Sequence, residues 1–593
     1  MNKINRIKIE NIKGKSSFEV CFTNFVANQP NIVVAPNGYG KSTMATAFNA
    51  AQHGKIKLAP ADIYQQDSNK HPKLEIELEG TLTGNFVASD TEGNISSNIS
   101  LKVIKSPLYA KSLKKRYVSG VASTAELRIE DIVVYSQIPK KCLIDYSYSE
   151  IKKGFEQNGK LFLNISKLLL DVDNIRRLRE VKRSLDACIK LKQIKNCFGN
   201  FLSRCPKSGT IGEIKRAITS KEIDTLRKNN TNIATLFDCI NKMDHKPEGW
   251  LPVDVVFTAI QLCRIYATGG RVILKDVEKY LEYKAVKETI DNRLADFNTT
   301  GRTIKTREDH GKLIVSFERA ESLSNGERDI LSFIVNITKY EYSFNKTVGI
   351  LVIDEVFDYL DGSNMLAVQY YLTELIKNCK AKRKVFFPII FTHLDPAVFS
   401  NYYFKKRKIH YILAPAKIVI TSDLVKMLRL RENGELSREE KQEIEKYYLH
   451  YIDEDYTLGA QLAQKVTPTF SESNSSFRRK LYTEVTQKYL TEINYDPVMV
   501  IAGLRIKIEE IVFKKISPED QEEYINAHKL INKLNFAVEK GIDVPELFFL
   551  LQPLYNDGLH LGGNDEAVCN KIKSIYLKTY NLHIRRMIQK VFQ

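Results

Sequence analysis

A glycine-containing loop between an apolar segment and a helix-like segment most strongly constrains the fold of this chain. Residues 35–43 read Ala-Pro-Asn-Gly-Tyr-Gly-Lys-Ser-Thr, follow the apolar residues 31–34 and precede the helix-like residues 44–49. Glycines let backbone amides turn inward around phosphate oxygens, and the N-terminus of a helix adds partial positive charge. The order of strand, loop and helix therefore predicts a phosphate-binding loop at the edge of a parallel sheet.

The side chains of this loop add specific roles to the prediction. Lys41 is expected to reach the β and γ phosphates of ATP, and Ser42 to ligate Mg²⁺. Ala35 stands where the first glycine of such loops is usual, which is a mild departure at the end of a strand. The predicted nucleotide contacts of the loop are Asn37, Gly38, Gly40, Lys41, Ser42 and Thr43.

Two later apolar segments end in residues suited to the same chemistry. Residues 350–353 end in Asp354 and Glu355, as expected of a buried strand that delivers acids to the carboxyl edge of a parallel sheet. Asp354 can hold Mg²⁺, and Glu355 can accept a proton from the water that attacks the γ phosphate. Residues 385–391 precede His393, which can sense the γ phosphate. Because Pro388 would weaken a central strand, we expect that strand to begin near Ile389.

A further segment, residues 323–327, precedes an apolar helical stripe within residues 328–340. Ser324 and Gly326 should therefore lie at a helix N-terminus, which is a position that binds anions.

Together, these segments resemble the Walker A, signature, Walker B and H-loop motifs of the ABC-type ATPases, and Leu360-Asp361 matches the D-loop. The resemblance implies an α/β head, with a mixed sheet and flanking helices, that binds ATP and Mg²⁺. It also implies a head-to-tail dimer, because the signature Ser324 and Gly326 would close over ATP held by another subunit. Gln137 is our Q-loop assignment and a further Mg²⁺ ligand, with Gln65 and Gln66 as alternatives. Asn325 and Glu327 differ from the commonest sequence of the signature motif.

The N-terminal pattern is similar to that of the RecF/SMC branch of this family rather than to that of transporters. Residues 4–12 alternate in polarity and are followed by a short loop and residues 18–22. The apolar runs fall far short of the ~20 residues that a spanning helix needs, and the N-terminus lacks a signal-peptide core. We therefore expect a cytoplasmic protein that does not associate with membranes.

The net charge indicates the kind of partner, and the cysteine spacing bears on disulfides and metal sites. The formal net charge is +18 over 593 residues, which favours an acidic partner such as tRNA or DNA. Basic runs occur at 111–116, 405–408 and 571–590, although such runs are often only a solvated surface. The nine cysteines form no Cys-x-x-Cys pair, so neither a disulfide framework nor a zinc site is indicated.

Pattern changes divide the chain into four predicted segments. Residues 1–144 and 308–421 form the two halves of the ATPase, and residues 145–307 form a helical insertion with apolar residues at three- and four-residue steps. The insertion is too short for a long SMC-like coiled coil and is expected to break at Gly199, Gly209 and 247–249. Residues 408–421 suggest a hairpin about Pro415. Residues 422–593 are predicted to be a mostly helical effector or docking domain.

The C-terminal segment contains one further pattern. Arg505 and Glu509 lie four residues apart on one predicted helix face, and His560 follows. This resembles the Arg-x-x-x-Glu then His pattern of PrrC- and RloC-type anticodon nucleases, which also carry a RecF/SMC-branch ATPase. The resemblance implies a metal-free ribonuclease in which Glu509 accepts a proton, Arg505 stabilises charge and His560 donates a proton. An ordinary helix salt bridge and a turn histidine are the alternative.

The function indicated overall is a nucleotide-gated ATPase switch, working as a dimer or higher oligomer, in prokaryotic antiviral defence or a related damage response. It would control a nuclease or toxin, which can be its own C-terminal domain acting on tRNA. The chain also resembles Septu- or PARIS-type ATPase subunits, which would make it a sensor or scaffold that holds a separate effector or toxin subunit. A RecF-like DNA-repair ATPase remains open. A Toprim nuclease is disfavoured, because the acids at 453–455 more simply form a solvated turn.

Overall fold

The computed structural model describes residues 1–36, 38–106, 108–117, 120–129, 131–268, 274–296, 304–316, 325–393, 407–412, 422–527 and 529–593. Clustering of contacts divides the chain into two compact units. The first unit comprises residues 1–105 and 345–593, and the second comprises residues 106–344.

The strands are β1 (Lys3–Ile12), β2 (Lys15–Val26), β3 (Asn31–Val34), β4 (Lys73–Glu79), β5 (Gly84–Ser89), β6 (Ile99–Lys105), β7 (Leu108–Tyr117), β8 (Gly120–Ile129), β9 (Ile132–Tyr135), β10 (Thr306–Asp309), β11 (Lys312–Val315), β12 (Val348–Asp354), β13 (Val385–Thr392) and β14 (Lys408–Tyr411).

The helices up to the end of the second unit are α1 (Lys41–Ala50), α2 (Ile95–Asn98), α3 (Tyr148–Gly154), α4 (Ser166–Leu169), α5 (Val172–Glu180), α6 (Lys182–Lys190), α7 (Lys192–Arg204), α8 (Ile211–Ala217), α9 (Ser220–Asn229), α10 (Thr231–Asn241), α11 (Asp254–Thr268), α12 (Leu274–Ala295) and α13 (Asn325–Ser343). Those that follow are α14 (Gly362–Ala381), α15 (Asp423–Glu432), α16 (Arg438–Ile444), α17 (Ala460–Val466), α18 (Asn474–Thr483), α19 (Pro497–Phe513), α20 (Gln521–Asn526), α21 (Leu530–Glu539), α22 (Glu546–Leu550), α23 (Gln552–Gly558), α24 (Asp565–Thr579) and α25 (Leu582–Phe592).

A five-stranded parallel sheet forms the centre of the first unit. Its strand order is β14-β3-β13-β12-β6, and every neighbouring pair runs parallel. All of β13 and nearly all of β12 are buried, as expected of parallel strands covered on both faces. Because parallel strands end at one edge, the loops after β3, β12 and β13 meet there.

Pro388 lies inside β13 rather than before it, so the predicted start of this strand near Ile389 is wrong. On one side Pro388 is opposite Leu351 of β12, and on the other β3 begins only at the partner of Ile389. The Pro388 carbonyl lies 3.5 Å from the Asn31 side-chain amide, so the β3-facing edge of the proline falls at the end of the ladder. The missing N–H of proline therefore costs no ladder hydrogen bond.

A second, antiparallel sheet with the order β2-β1-β4-β5 packs on the same core. Alternate residues of β1 and β4 are buried together with Met44 and Phe48 of α1. On its other face, Arg6 pairs with Glu75 and Glu77. The alternation predicted for residues 4–12 is therefore that of a half-buried strand.

The second unit is mainly helical. Its helices α3–α12 enclose a core that includes Ile165, Leu168, Ile175, Leu178 and Leu185, the apolar positions of the predicted three- and four-residue pattern. Gly199 lies within α7, so the predicted break there is wrong. A three-stranded sheet with the order β10-β11-β9 precedes α13 in this unit.

Residues 422–593 form a helical domain around α19. Twelve of the 17 residues of α19 are buried, and α15, α18, α21, α23, α24 and α25 pack against it.

The predicted fold class is confirmed: the chain has mixed sheets with flanking helices, an inserted helical segment and a mostly helical C-terminal part. The four-segment division stays a prediction. The first arm of the predicted hairpin about Pro415 is β14, and residues 413–421 lie outside the described residues. No helix in the described ranges is both long and apolar enough to cross a membrane.

Candidate nucleotide site and a buried charged cluster

The loop after β3 has the conformation that its glycines permit. Gly38 and Gly40 have φ angles of 85° and 104°, in the left-handed region that favours glycine. A Cβ at Gly40 would lie 3.1 Å from the ring of Phe18, so a larger residue would also be crowded. The predicted order of strand, loop and helix is present, with α1 beginning at Lys41. Asn37 lies outside the described residues.

Lys41 lies near three carboxylates, those of Asp354, Glu355 and Asp358. Its side chain is buried, and Nζ donates a hydrogen bond of 2.6 Å to the Ala35 carbonyl. Burial lowers the pKa of Lys41, whereas Asp358, Glu355 and Asp354 oppose that change. The structure therefore brings Lys41 together with the two predicted acids and with a third, Asp358. Thr43 is buried in the first turn of α1, whereas Ser42 and Gly38 are exposed.

Asp354 suits a divalent cation. Its Oδ1 is buried, and no hydrogen-bond partner for this atom is found within the described part of the chain. Burial raises the pKa of Asp354 to about 6. A buried carboxylate oxygen without a donor is unstable unless a proton or a cation satisfies it, and Mg²⁺ prefers such oxygen ligands. Asp354 and the exposed hydroxyl of Ser42 are therefore suitable ligands.

Glu355 has a strained backbone. Its φ of 59° is unusual for a residue with a side chain, and such conformations cluster at functional sites. The Glu355 amide donates to the Phe391 carbonyl at the end of β13 over 3.2 Å. This link holds the ends of β12 and β13 together, so Glu355 and His393 occupy the same edge of the sheet.

Asp358 lies beside His393, and sequence reasoning missed it. One Asp358 oxygen accepts a hydrogen bond from the Thr392 hydroxyl, and the other lies 2.8 Å from Nδ1 of His393. The Asp358 side chain is fully buried, whereas His393 is partly exposed. An acid flanked by Phe357 and Tyr359, three residues after Glu355, is the signal that could have revealed it.

Asp358→Asn should reduce ATP hydrolysis by on the order of tenfold, because His393 would lose the carboxylate that holds its ring. ATP affinity should change less, since the Asp358 side chain is fully buried. Steady-state hydrolysis and equilibrium binding of ATP would separate the two effects. Asp224→Asn, at an exposed position in the helical insertion, is the control. Unchanged hydrolysis in Asp358→Asn would contradict the orienting role.

The remaining predicted nucleotide contacts are Asp361, Gln137, Ser324 and Gly326. Asp361 caps α14 by accepting from the Asn364 amide at 2.8 Å. Gln137 is exposed after β9, and Gly326 lies in the first turn of α13, both in the second unit. Ser324 lies outside the described residues. The roles of these residues stay predictions.

The helical domain contains a buried charged cluster, formed by Glu509 and Arg505 of α19 with His450 and Lys533. Glu509 is fully buried, and its Oε1 accepts from His450 Nδ1 at 2.7 Å and from Arg505 Nε at 3.4 Å. Its Oε2 accepts from Lys533 Nζ at 3.0 Å and from the Tyr451 amide at 2.9 Å. Arg505 also donates to His450 Nε2 at 2.6 Å. The Arg-Glu pair is therefore not an ordinary surface salt bridge.

The cluster fixes the charge of its members. Burial alone would raise the pKa of Glu509, but His450, Lys533 and Arg505 together lower it below its usual range. Burial and the neighbouring Arg505 lower the pKa of His450 to about 4. At neutral pH, Glu509 is therefore ionised and His450 is uncharged.

The structure does not bring His560 into this cluster. His560 Nδ1 lies 2.9 Å from Glu432 and 3.3 Å from Arg431, and 63% of its side chain is exposed. No contact between His560 and Arg505 or Glu509 is found among the described residues. His450 and Lys533 are the residues that sequence reasoning missed, because both are distant along the chain from the Arg-x-x-x-Glu pattern.

Acidification should destabilise this domain. His450 stays neutral when folded down to about pH 4 but would be protonated near pH 6.5 when unfolded, so its contribution is complete above pH 6.5 and is lost as the pH falls. We expect a loss of about 2 kcal/mol between pH 7.5 and 5. Hydrogen exchange of residues 497–513, corrected for intrinsic rates, would measure it. His450→Gln should weaken the pH dependence and His583→Gln, an exposed control, should retain it; equal dependence in both would contradict the assignment.

An aromatic contact joins the phosphate loop to the helical domain. The ring of Tyr39, between the two loop glycines, lies 5.5 Å from that of Tyr580 in edge-to-face geometry. Tyr580 follows α24 and also packs on Tyr576.

The acids at 453–455, which the sequence predicted to form a solvated turn, are exposed on a turn. The basic run 111–116 and residues 405–406 lie outside the residues whose side chains are described.

Comparisons with known proteins return ATPase head structures at low similarity. The Smc head domain with an extended coiled coil from Pyrococcus furiosus, bound to the C-terminal domain of ScpA, has 14% identity and a TM-score of 0.26, covering 68% of this chain and 92% of that one. The recombination mediator RecF with ATP has 10% identity and a TM-score of 0.22, covering 66% and 92%. The SMC head domain of Thermotoga maritima has 12% identity and a TM-score of 0.22, covering 69% and 94%.

No family model matches the chain, and no curated protein sequence matches it significantly. At these identities and TM-scores, the structural similarities carry no argument about function.

Proposed function

We propose that this chain is an ABC-type ATPase of the RecF/SMC branch that binds and hydrolyses ATP with Mg²⁺ and works as a nucleotide-gated switch. The observation that carries the proposal is the meeting of Lys41, Asp354, Glu355 and His393 at one edge of a parallel sheet. Lys41 and the loop amides would hold the phosphates, and Ser42 and Asp354 would hold Mg²⁺. Glu355 accepts the proton of the attacking water, and His393 contacts the γ phosphate.

In this proposal the active form is a head-to-tail dimer. Ser324, Gly326 and Asp361 of one subunit close over ATP bound by the other, so binding of ATP favours the dimer and hydrolysis releases it. The basic net charge supports nucleic acid as a further partner. The switch acts in the cytoplasm, in prokaryotic antiviral defence.

Lys41→Ala tests the nucleotide site. It should weaken ATP binding by roughly 100-fold, because a charge-assisted contact to phosphate contributes about 3 kcal/mol. Titration with a fluorescent ATP analogue would measure the dissociation constant. Lys55→Ala, at an exposed lysine after α1, is the matched control. Equal affinity in the two variants would overturn the proposal.

A second proposed function is a ribonuclease in the helical domain that acts on tRNA, with Arg505, Glu509 and His560 as its predicted residues. The Arg505–Glu509 pair favours this function, because the pair is largely buried, whereas an ordinary salt bridge on a helix surface is exposed. The competing proposals are a scaffold that holds a separate toxin subunit and a RecF-like repair ATPase.

Cleavage of total tRNA by the purified chain with ATP separates these proposals. Wild type, Glu355→Gln, His560→Ala and His450→Ala would be compared, with analysis of the product ends. Arg505→Ala would be added to this comparison. If this variant loses the cleavage seen with wild type but still hydrolyses ATP, the nuclease lies in this chain. Intact tRNA in every sample favours an ATPase that needs a separate effector.

A further inference from the structure

The charged cluster around Glu509 has an excess of positive charge. Both oxygens of its single carboxylate are occupied, Oε1 by His450 and Arg505 and Oε2 by Lys533 and the Tyr451 amide. Arg505 and Lys533 are cations, and His450 is neutral. In the described part of the chain, no second acid forms an ion pair with Arg505 or Lys533. One negative charge therefore faces two positive charges in a largely buried setting.

Such an excess is costly unless an anion compensates it. An isolated charge loses its hydration on burial, and buried charges are accordingly paired or bound to a ligand. Glu509 cannot serve as the ligand-binding group, because each of its oxygens already has two donors. Its place is behind the other residues, where it holds His450 and Arg505 in position.

The residues of the cluster differ in their exposure to solvent. The side chains of Glu509 and Lys533 are 0% and 1% exposed, whereas those of Arg505 and His450 are 12% and 18% exposed. A molecule that approaches from solvent therefore meets the guanidinium and the imidazole first. Arg505 uses Nε and one terminal nitrogen within the cluster, and no contact of its other terminal nitrogen, Nη1, is found among the described residues.

We propose that Arg505 and His450 form the contact surface of an oxyanion site that receives a phosphate group, with Lys533 supplying charge behind it and Glu509 positioning both contact residues. A guanidinium offers two parallel donors that match phosphate oxygens. An oxyanion is also a stronger acceptor for Arg505 than the imidazole nitrogen it now contacts. The phosphate is that of a nucleic-acid backbone, given the net charge of +18, and this identity rests on the proposed nuclease function.

This proposal replaces His560 with His450 as the histidine beside the phosphate. His560 lies next to the carboxylate of Glu432, which would repel an anion. Both histidines contact a glutamate and an arginine, but the surroundings differ in charge. His450 lies beside one acid and two cations, Arg505 and Lys533. His560 lies beside Glu432 and Arg431, and Arg431 also pairs with a second acid, Glu445.

Histidine NMR tests the site without altering it. The full chain with Lys41→Ala, which removes the phosphate-loop lysine, would carry ¹³C-labelled histidine, and His450→Gln and His560→Gln would assign the two signals. Adding inorganic phosphate, against chloride at equal ionic strength, should shift the His450 signal and leave that of His560 unchanged. A short oligouridylate should produce the same shift at a lower concentration than phosphate.

A second measurement uses Arg505→Met in the same background, with Arg479→Met as an exposed control. Phosphate should raise the unfolding temperature of the parent and of Arg479→Met, and the increase should be lost in Arg505→Met. An unmoved His450 signal overturns the oxyanion site, and a response to inorganic phosphate alone overturns the nucleic-acid ligand. ATP hydrolysis by the unmodified chain would still test the ATPase separately, and uncut tRNA together with a shifted His450 signal would overturn the nuclease while keeping the site.

Discussion

Glu355→Gln should lower the rate of ATP hydrolysis by at least about 100-fold while leaving the affinity for ATP within a few fold. The amide keeps the shape of the side chain but cannot accept a proton from the attacking water. It also removes one negative charge near Lys41, so ATP affinity should not fall. Single-turnover hydrolysis and equilibrium binding of ATP are the measurements. Glu539→Gln, at an exposed position of α21, is the control.

The same substitution should reveal the dimer. If ATP holds two subunits together and hydrolysis separates them, Glu355→Gln should accumulate as a dimer with ATP and Mg²⁺, whereas wild type should return to monomer as ATP is consumed. Sedimentation velocity would distinguish the two. Full hydrolysis by Glu355→Gln would contradict its role as the proton acceptor, and a monomer at saturating ATP would contradict the dimer.

Glu509→Ala should destabilise the helical domain by about 3–5 kcal/mol, because it leaves Arg505 and Lys533 buried without a counter-charge. The Tyr451 amide would also lose its acceptor. Hydrogen exchange of α19 is the suitable measurement, since Trp250, the single tryptophan, lies in the other unit. Glu539→Ala should change the exchange of α19 by less than about 0.5 kcal/mol.

Removing a cation together with the carboxylate provides the decisive comparison. Glu509→Leu combined with Lys533→Met should be more stable than Glu509→Leu alone, because fewer unpaired charges remain buried. If the double variant is as unstable as the single one, the loss comes from packing around α19 rather than from uncompensated charge.

The nucleotide site was predictable because its residues lie in short contiguous segments. The backbone of residues 35–43 and the acids after β12 need only a strand and its following loop, and both are recognisable from local patterns. Asp358 escaped prediction because its role depends on meeting Thr392 and His393, which belong to another strand. Pro388 was not predicted to lie inside β13, because the start of β3, which lets a central strand contain proline, is not visible in the sequence of β13.

The charged cluster shows more clearly what local sequence patterns cannot predict. The Arg505–Glu509 pair follows from helical periodicity, but His450 and Lys533 lie 59 and 24 residues from Glu509 along the chain. Only the folding of several helices around α19 brings them together. The predicted partner, His560, was chosen by resemblance, and the structure gives it Glu432 and Arg431 instead.

The contact between Tyr39 and Tyr580 has a mechanical consequence. Tyr39 belongs to the loop that must wrap around the phosphates, and its edge rests on a residue that ends α24. A loop that rearranges as ATP enters or phosphate leaves must either carry Tyr580 with it or slide past it. A movement of the phosphate loop on ATP binding would therefore be transmitted through these two rings to the end of α24, which packs on α19.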